Sequence, residues 1–477
     1  MSTRTHALDF ILNPTSVAVV GASKDPLKWG HMLLSAIVNG GYKGRVYPIN
    51  PTLDEVDGLK CYPSVGDIPG DLDLAVIVVP LQAVPQVMED CVAKNVPGAV
   101  IITSGFGETG EQGKTLQDEI VSIARKGRVR FVGPNCMGIC SSPAKLSALM
   151  IPFLHEKGEI AFISQSGGYG MQLYLRAQSV GVGITKFVSS GNEADLTASD
   201  YIEYFAQDDS VKLIAMYIEG IKEGRRFYDA ARRVTQKKPI VVIKVGTTEM
   251  GGQAAASHTG ALAGSDKVYD AAFKQSGIIR TGNAEEMFDA IKALLYCPLP
   301  RGTRIGVITN SGGVGVETTD SCVQLGLQLP RLGAETQAKI LQYIPPFGNP
   351  RNPVDLTASL NMQAFLKVPE IALADDSIDG MITLGLGVSI MHGLFPGTPK
   401  EAFLPLFKGL SEQLIKTYKK SGKPVLVINP AADIEPEAAK ILEDNRVPVY
   451  LTPERAAMAM ATLCRYKKYL DSTKPVS

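Results

Sequence analysis

The loop Ala254-Ala255-Ala256-Ser257-His258-Thr259-Gly260-Ala261-Leu262-Ala263-Gly264 sets one of the chain's five histidines among residues too small to cover it. Gly260 and Gly264 let backbone come close to a bulky ligand, and a neutral imidazole is a nucleophile near pH 7. A lone histidine without such a setting reads as an imidazole satisfied by ordinary hydrogen bonds. This setting points instead to a His258 that accepts a phosphoryl group and passes it on. Such chemistry needs an acid to hold the other ring nitrogen, and fixed donors for the phosphate oxygens, because phosphoryl transfer rests on positioning and electrostatics. Glu219 is the candidate acid. It ends the apolar run Leu213–Ile218, which reads as a central strand, so its carboxylate stands at the strand's carboxyl tip. The competing reading is a solvated loop carboxylate beside Glu223 and Arg225. The candidate donors are the backbone amides of Ser166, Gly167 and Gly168, where a helix over Tyr169–Ala177 begins. Ser164-Gln165-Ser166-Gly167-Gly168 does not satisfy the Gly-x-Ser-x-Gly elbow, which argues against a serine nucleophile.

The elements that carry these residues are duplicated. Ile160–Gly170 matches Ile305–Gly315, and Gly181 meets Gly326 at the same separation. Each copy reads as strand, Ser-Gly-Gly turn, helix. Lys238–Ile243 then matches Lys423–Ile428, and Thr281–Phe288 loosely matches Thr452–Ala459. Repeats this long imply two related α/β domains and not a solenoid. The first copy is longer between the last two landmarks, where the histidine loop lies. The second copy has neither histidine nor acid at the corresponding places. A scaffold that folds without the loop does not need it for its core, so the extra segment reads as functional. The boundary between the copies is placed at Cys297-Pro298-Leu299-Pro300.

Upstream, the β-branched runs Ser16–Val20, Arg45–Ile49, Leu74–Val79, Ala99–Ile102 and Val129–Val132 alternate with helical patterns. That alternation implies a doubly wound parallel sheet, whose ligands gather at the carboxyl ends of the strands. The loop from Gly21, Ala22 and Ser23 through Lys28 and Trp29 to Gly30 is a candidate phosphate cradle. It is not a G-x-G-x-x-G fingerprint, and the second strand ends in Asn50-Pro51 where a nicotinamide dinucleotide site usually has an acid. Val79-Pro80-Leu81 and Thr103-Ser104-Gly105 would line the same crevice; each such turn is equally readable as an ordinary tight turn.

Composition narrows the class. Lys+Arg and Asp+Glu both total 48, so no net field recommends nucleic acid or an anionic membrane as a partner. No apolar run approaches the roughly 18 residues of a membrane span, and residues 1–13 lack a signal-peptide stretch. The seven cysteines are scattered and odd in number, which speaks against a disulfide framework, and Cys136-x-x-x-Cys140 reads as buried thiols and not a metal site. A cytoplasmic protein is expected.

Val20–Ser23, Gly133-Pro134-Asn135-Cys136-Met137-Gly138, Ile163–Gly167, Glu219 and Ser257–Gly264 together resemble the nucleoside-diphosphate-forming acyl-CoA synthetases, relatives of succinyl-CoA synthetase, over almost the whole chain. The resemblance implies three tandem Rossmann- or flavodoxin-like parallel-sheet domains, the second and third related by duplication: 1–146 binding coenzyme A, 147–297 carrying the phosphohistidine, and 298–477. It implies a reversible reaction in which acyl-CoA, phosphate and ADP give a carboxylic acid, coenzyme A and ATP through an acyl phosphate and phosphorylated His258. Residue by residue, Gly21, Ala22, Ser23 and Lys28 would meet the coenzyme's phosphates, Asn50 and Pro51 its nucleotide end, and Thr103, Ser104 and Gly105 its pantetheine arm. ATP or ADP with magnesium would belong to an ATP-grasp module, so a separate β subunit is expected, in an assembly such as α2β2. The rival expectations are a non-catalytic coenzyme A-binding regulatory protein or acetyltransferase-associated domain, and a nicotinamide oxidoreductase. Retention of both His258 and Glu219 argues against the first. Asn50 and the missing glycine fingerprint argue against the second.

Overall fold

Apolar runs that continue without alternation belong to strands covered on both faces, and the first sheet shows this. Along β1 (Ser16–Val20), Val17 and Val19 enter one core while Ala18 and Val20 enter another. The computed structural model describes residues 6–150, 158–253, 265–357, 361–385, 397–434 and 436–473. β1 leads through a glycine loop into helix α1 (Trp29–Asn39) and is followed by β2 (Arg45–Ile49), β3 (Leu74–Ile77), β4 (Gly98–Ile101) and β5 (Arg130–Val132). These five strands are parallel, in the order β2-β1-β3-β4-β5.

The second sheet contains β6 (Gly138–Ser141), β7 (Leu146–Leu149), β8 (Ile160–Ser164), β9 (Ile184–Ser189), β10 (Leu213–Ile218), β11 (Ile240–Lys244) and β12 (Ile279–Thr281), in the order β12-β11-β10-β8-β9-β6-β7. Helix α2 (Gly167–Ser179) follows β8. The hairpin β6–β7 pairs antiparallel with β9. A first domain ending at residue 146 would cut through this hairpin. The structure assigns the hairpin to the second sheet because it covers the edge of β9 that would otherwise stand unpaired.

The described chain divides into two compact units, Met1–Gly282 and Asn283–Ser477, the first holding both sheets above. The second unit begins with α3 (Ala284–Tyr296), ahead of the boundary expected at residue 297. The reason is packing within that unit. Ala293 shares a core with Ala456, Ala457 and Met460, and buried Asp289 receives a two-point fork from Arg455 at 2.6 and 2.8 Å. Its sheet comprises β13 (Ile305–Thr309), β14 (Val354–Asp355), β15 (Gly380–Leu384), β16 (Val425–Ile428) and β17 (Val449–Tyr450), in the order β14-β13-β15-β16-β17. Helix α4 (Gly312–Gln324) follows β13, and α5 (Pro453–Ser472) ends the described chain. Numbered by appearance, the parallel strands of all three sheets lie in the flavodoxin-like order 2-1-3-4-5.

The duplication holds down to single atoms. In the first copy the Ser164 hydroxyl donates to the Ser166 carbonyl at 2.6 Å, and in the second the Thr309 hydroxyl donates to the Ser311 carbonyl at 2.8 Å. A Cβ on Gly170 would meet Ser164 Cβ at 2.6 Å, and one on Gly315 would meet Thr309 Cγ2 at 2.9 Å, so both helices need glycine to lie on their strands. The N-caps Asn283 and Thr452 align α3 with α5, a register displaced from the loose match of Thr281 with Thr452. Among the described residues, no helix is long and apolar enough to cross a membrane.

The first two sheets are joined by the segment Ser190–Leu196. Asp195 takes the Arg130 guanidinium at 2.8 Å and the Phe131 N–H at 2.9 Å, while the Leu196 N–H bonds the Phe131 carbonyl at 3.3 Å. Gly191, at φ +55°, runs so close to the preceding sheet that a Cβ there would meet Pro134 O at 2.3 Å and Asn135 O at 2.5 Å. Gly191→Ala is therefore expected to destabilise the fold by about 1–3 kcal/mol, read as a lower urea midpoint; an unchanged midpoint contradicts this close approach.

Candidate active site

The glycine loop after β1 opens onto a cleft of about 760 Å³, lined by Gly21, Ala22, Ser23, Lys28, Asn50 and Pro51 together with Leu27, Trp29 and the strand end Val78–Pro80. Gly21 has φ +99°, and a Cβ there would strike Val78 O at 2.5 Å, so only glycine lets the chain turn at this point. A Cβ on Gly30 would meet Gly21 O at 1.9 Å, which seats the start of α1 directly on the loop. Lys28 occupies the N-cap position of α1 without a side-chain capping bond, leaving first-turn N–H groups for an anion. Asn50 holds the loop from the next strand: its Nδ2 donates to the Ala22 carbonyl at 2.8 Å, and its Oδ1 accepts from Thr52 N at 2.9 Å. Leu27 and Trp29, inside the loop that the sequence marks as a phosphate cradle, add apolar surface to the cleft and are 81% and 43% exposed. Thr103, Ser104 and Gly105 are not among the lining residues. They occupy the neighbouring strand tip, where the Thr103 hydroxyl donates to Val79 O at 2.7 Å.

The second cluster forms where β8 lies between β9 and β10. Ser166 caps α2, and Gly167 and Gly168 form its first turn. A Cβ on Gly167 would strike Met137 Cγ at 2.4 Å, whereas one on Gly168 would meet nothing within 4 Å, so the turn is closed on one side and open on the other. Gln165 joins this turn to the acid. Its Oε1 accepts the N–H groups of Glu219 at 2.7 Å and Gly220 at 3.0 Å, while its Nε2 donates to the Gly220 carbonyl at 2.7 Å. Half-buried Glu219 thus stands at the tip of β10, where the apolar run ends, with its backbone N–H tied to the residue that precedes the Ser166–Gly168 turn. The nearby Tyr217 phenol has its pKa pushed up to about 12, first by burial and then by the Glu219 charge. His258 and the loop 254–264 lie outside the described residues.

The strip Gly133–Met137 runs between the two clusters. Asn135, at φ +57°, bonds the Thr103 carbonyl through its N–H at 3.0 Å, while the Met137 N–H reaches the Ser189 hydroxyl at 2.9 Å. Beside it lies Glu193, 3% exposed, taking the Ser190 hydroxyl at 2.8 Å and the Ala198 N–H at 3.2 Å. Burial pushes the Glu193 carboxyl above the usual carboxylate range, against opposing hydrogen bonds from Ser190, Gln165 and Ala198 and the charge of Lys222. Nothing in the spacing of the sequence singled out Glu193.

Three sequence profiles match this chain: a coenzyme A-binding domain over residues 15–142, a succinyl-CoA ligase-like flavodoxin domain over 157–294, and a ligase-CoA domain over 305–472. The chain is 42% identical to the alpha subunit of ADP-forming acetate–CoA ligase II from Pyrococcus furiosus, over 97% of this chain and 98% of that one. The chain belongs to this family of alpha subunits. It is also 37% identical to ADP-forming acetate–CoA ligase I of Archaeoglobus fulgidus, over 97% of this chain and 64% of that longer protein. The dinucleotide-forming acetyl-coenzyme A synthetase 1 of Ca. Korarchaeum cryptofilum, solved with phosphate and ADP, superposes with a TM-score of 0.87 at 40% identity, covering 98% of this chain and 99% of that one. In this acetate–CoA ligase-type alpha chain the coenzyme A-binding profile spans the cleft at α1, and the flavodoxin profile spans the Ser166–Gly168 turn, Glu219 and residue 258.

The environment of Glu193 has a consequence for stability. A carboxyl whose pKa is raised on folding contributes stability that is full below its unfolded value, near 4.5, and is lost as pH rises through the folded value. Glu193→Gln removes the titration and keeps the shape. Across urea titrations from pH 4 to 8, the stability of the parent minus that of the variant is expected to fall as pH rises. A difference that grows with pH contradicts burial as the dominant influence.

Proposed function

We propose that this chain is the alpha subunit of an ADP-forming acyl-CoA synthetase that works through an acyl phosphate and a phosphorylated His258. The observation that carries the reading is the Gln165 bridge, which ties the backbone of an acid at a strand tip to the residue that precedes a helix-start turn with an open face. Phosphate held by the amides of Ser166, Gly167 and Gly168 attacks the thioester carbonyl of acyl-CoA; the C–S bond breaks and the coenzyme leaves as its thiolate. His258 then takes the phosphoryl group as the P–O bond to the acyl oxygen breaks, releasing the carboxylate. Glu219 holds the second ring nitrogen and balances the charge that develops on the phosphorylated imidazole. Transfer from His258 to ADP gives ATP and restores the ring.

The cleft over α1 fits coenzyme A chemically. A helix start and Lys28 suit its phosphates, and exposed Leu27 and Trp29 suit its adenine and pantetheine. Thr103–Gly105, one strand tip nearer the Ser166–Gly168 turn, suits the end of the pantetheine arm. The nucleotide and its magnesium are assigned to a separate ATP-grasp β subunit in an α2β2 assembly. Supporting this division, the chain spans nearly all of a relative named as an alpha subunit but 64% of the Archaeoglobus relative that carries no subunit name. The relatives' names make acetate the acid to test first.

Two measurements check the reading. With its β partner and γ-labelled ATP, the chain is expected to take an acid-labile, base-stable label that His258→Asn abolishes and that Glu219→Gln slows by about 10²- to 10³-fold. A label that survives His258→Asn excludes the mechanism. Trp29 is the single tryptophan of the chain and lines the cleft, so coenzyme A is expected to change the intrinsic emission where NADH does not; the reverse result favours a nicotinamide site.

A further inference from the structure

We propose that Asn192 is a positioning residue that holds the coenzyme-side loop and the phosphoryl-side loop of this site at a fixed separation. The inference rests on the two-step reading above and adds a residue that neither the motifs nor the catalytic roles single out.

Asn192 touches three loops at once. Its Nδ2 donates to Glu108 Oε2 at 2.5 Å and to Gln117 Oε1 at 3.0 Å, both after β4 of the first sheet. Glu108 in turn uses its other oxygen to hold the N–H groups of Gly105 at 2.6 Å and Phe106 at 3.2 Å, so its carboxylate sets the shape of the Thr103–Glu108 loop. The second loop is Gly133–Met137: the Asn192 N–H bonds Pro134 O at 2.9 Å, and Asn192 Oδ1 accepts from Asn135 Nδ2 at 3.3 Å. The third is the loop that carries the acid. The Lys222 ammonium, three residues beyond Glu219, reaches back to the Asn192 carbonyl at 2.6 Å and the Glu193 carbonyl at 3.3 Å. In the second sheet β8 lies between β9 and β10. Lys222 therefore spans from the loop after β10 to the loop after β9, across the tip of β8 that carries Gln165 and Ser166.

These contacts are arranged for registration more than for core stability. Both Nδ2 hydrogens and the Oδ1 of a half-buried carboxamide are spent on the side chains of Glu108, Gln117 and Asn135, and the strongest bond is to a carboxylate, where charge assistance is greatest. Attack on a thioester demands near-contact geometry between the phosphate and the carbonyl, and a displacement of about 1 Å costs on the order of 10²-fold in rate. Asn192 does not touch the reacting atoms. It fixes the distance between the loop assigned to the pantetheine end and the turn assigned to phosphate. Phosphorylation of His258 by ATP uses the second of these and not the first, so the two half-reactions respond differently when Asn192 is changed.

The test exchanges donor and acceptor across the Asn192–Glu108 bond. Asn192→Asp sets two carboxylates against each other. Adding Glu108→Gln restores one donor and one acceptor, and the new amide oxygen still serves Gly105 and Phe106. In the αβ complex, Asn192→Asp is expected to slow acyl-CoA formation from acetate, ATP and coenzyme A at least tenfold, to leave labelling of the chain by γ-labelled ATP within twofold, and to be rescued to within about threefold of the parent rate by the second change. Glu108→Gln alone, which opposes two amide donors without adding charge, is expected to show the same split and serves if Asn192→Asp does not fold. The proposal is overturned if labelling and acyl-CoA formation fall by the same factor, if neither changes, or if the exchange fails to rescue. A parent complex that takes no label sinks the phosphohistidine reading by itself. Asn192 is then judged on the loss and rescue of acyl-CoA formation.

Discussion

One carboxamide, that of Gln165, converts the neighbourhood of two strands into a fixed site. Parallel pairing brings the ends of β8 and β10 level, with Ser164 opposite Tyr217, but beyond the last rung the two backbones would be free to splay. Gln165 spans that gap with three hydrogen bonds to Glu219 and Gly220. Two N–H groups and one carbonyl that have left the ladder are satisfied by a single side chain. Leaving such half-buried groups without partners would cost about 1–3 kcal/mol each, so the stability of the strand tips and the placement of the acid are the same constraint. The turn from Ser166 onward inherits its position from Gln165, and the Glu219 carboxylate inherits its own from the backbone that Gln165 holds.

The comparison of the two copies shows which part of this arrangement belongs to the scaffold. Both keep a hydroxyl that closes the turn and a glycine that lets the helix lie on its strand, at Ser164 and Gly170 in the first and at Thr309 and Gly315 in the second. At the tip of the third strand they part. In the first copy the chain leaves the ladder and offers Glu219 and Gly220 to Gln165. In the second, the Gly385 N–H still bonds the Ile428 carbonyl at 2.7 Å, extending the ladder with no acid at that point. The fold needs the turn and the glycine. It does not need the acid, and that contrast between the copies supports the role proposed for Glu219.

Much of this was readable in the chain because the signals are local. Continuous β-branched runs gave the parallel strands, and the repeated Ser-Gly-Gly turn gave the duplication. The end of the Leu213–Ile218 run gave the position of Glu219. What is not legible locally depends on pairing across long stretches of sequence. The β6–β7 hairpin directly follows the first sheet in sequence, and no local pattern says which sheet an edge strand will join. Helix α3 reads as the close of the first copy until Asp289 meets Arg455. Gln165 stood in plain view inside a recognised motif, yet its partners lie on another strand. Glu108, Asn192 and Lys222 are ordinary polar loop residues until three loops converge. The histidine loop is the reverse case, conspicuous in composition and outside the described residues.

Electrostatics explains why the site is built largely from backbone. In the proposed mechanism a phosphoryl group would add negative charge to a region that already holds Glu219 and Glu193, a combination that two ionised carboxylates alone would resist. The compensation comes from three sources. The amides at the start of α2 present positive ends that need no counter-ion and do not reorganise during transfer. The Lys222 ammonium is held in place by the backbone carbonyls of Asn192 and Glu193. Burial raises the pKa of Glu193, shifting that carboxyl toward its neutral form and reducing the negative charge the phosphoryl group must face. Of the two acids, the one that the proposed mechanism sets against the imidazole is the half-buried one at the strand tip. The buried one serves as a hydrogen-bonding post between the sheets. That difference in solvent exposure is consistent with the role proposed for Glu219.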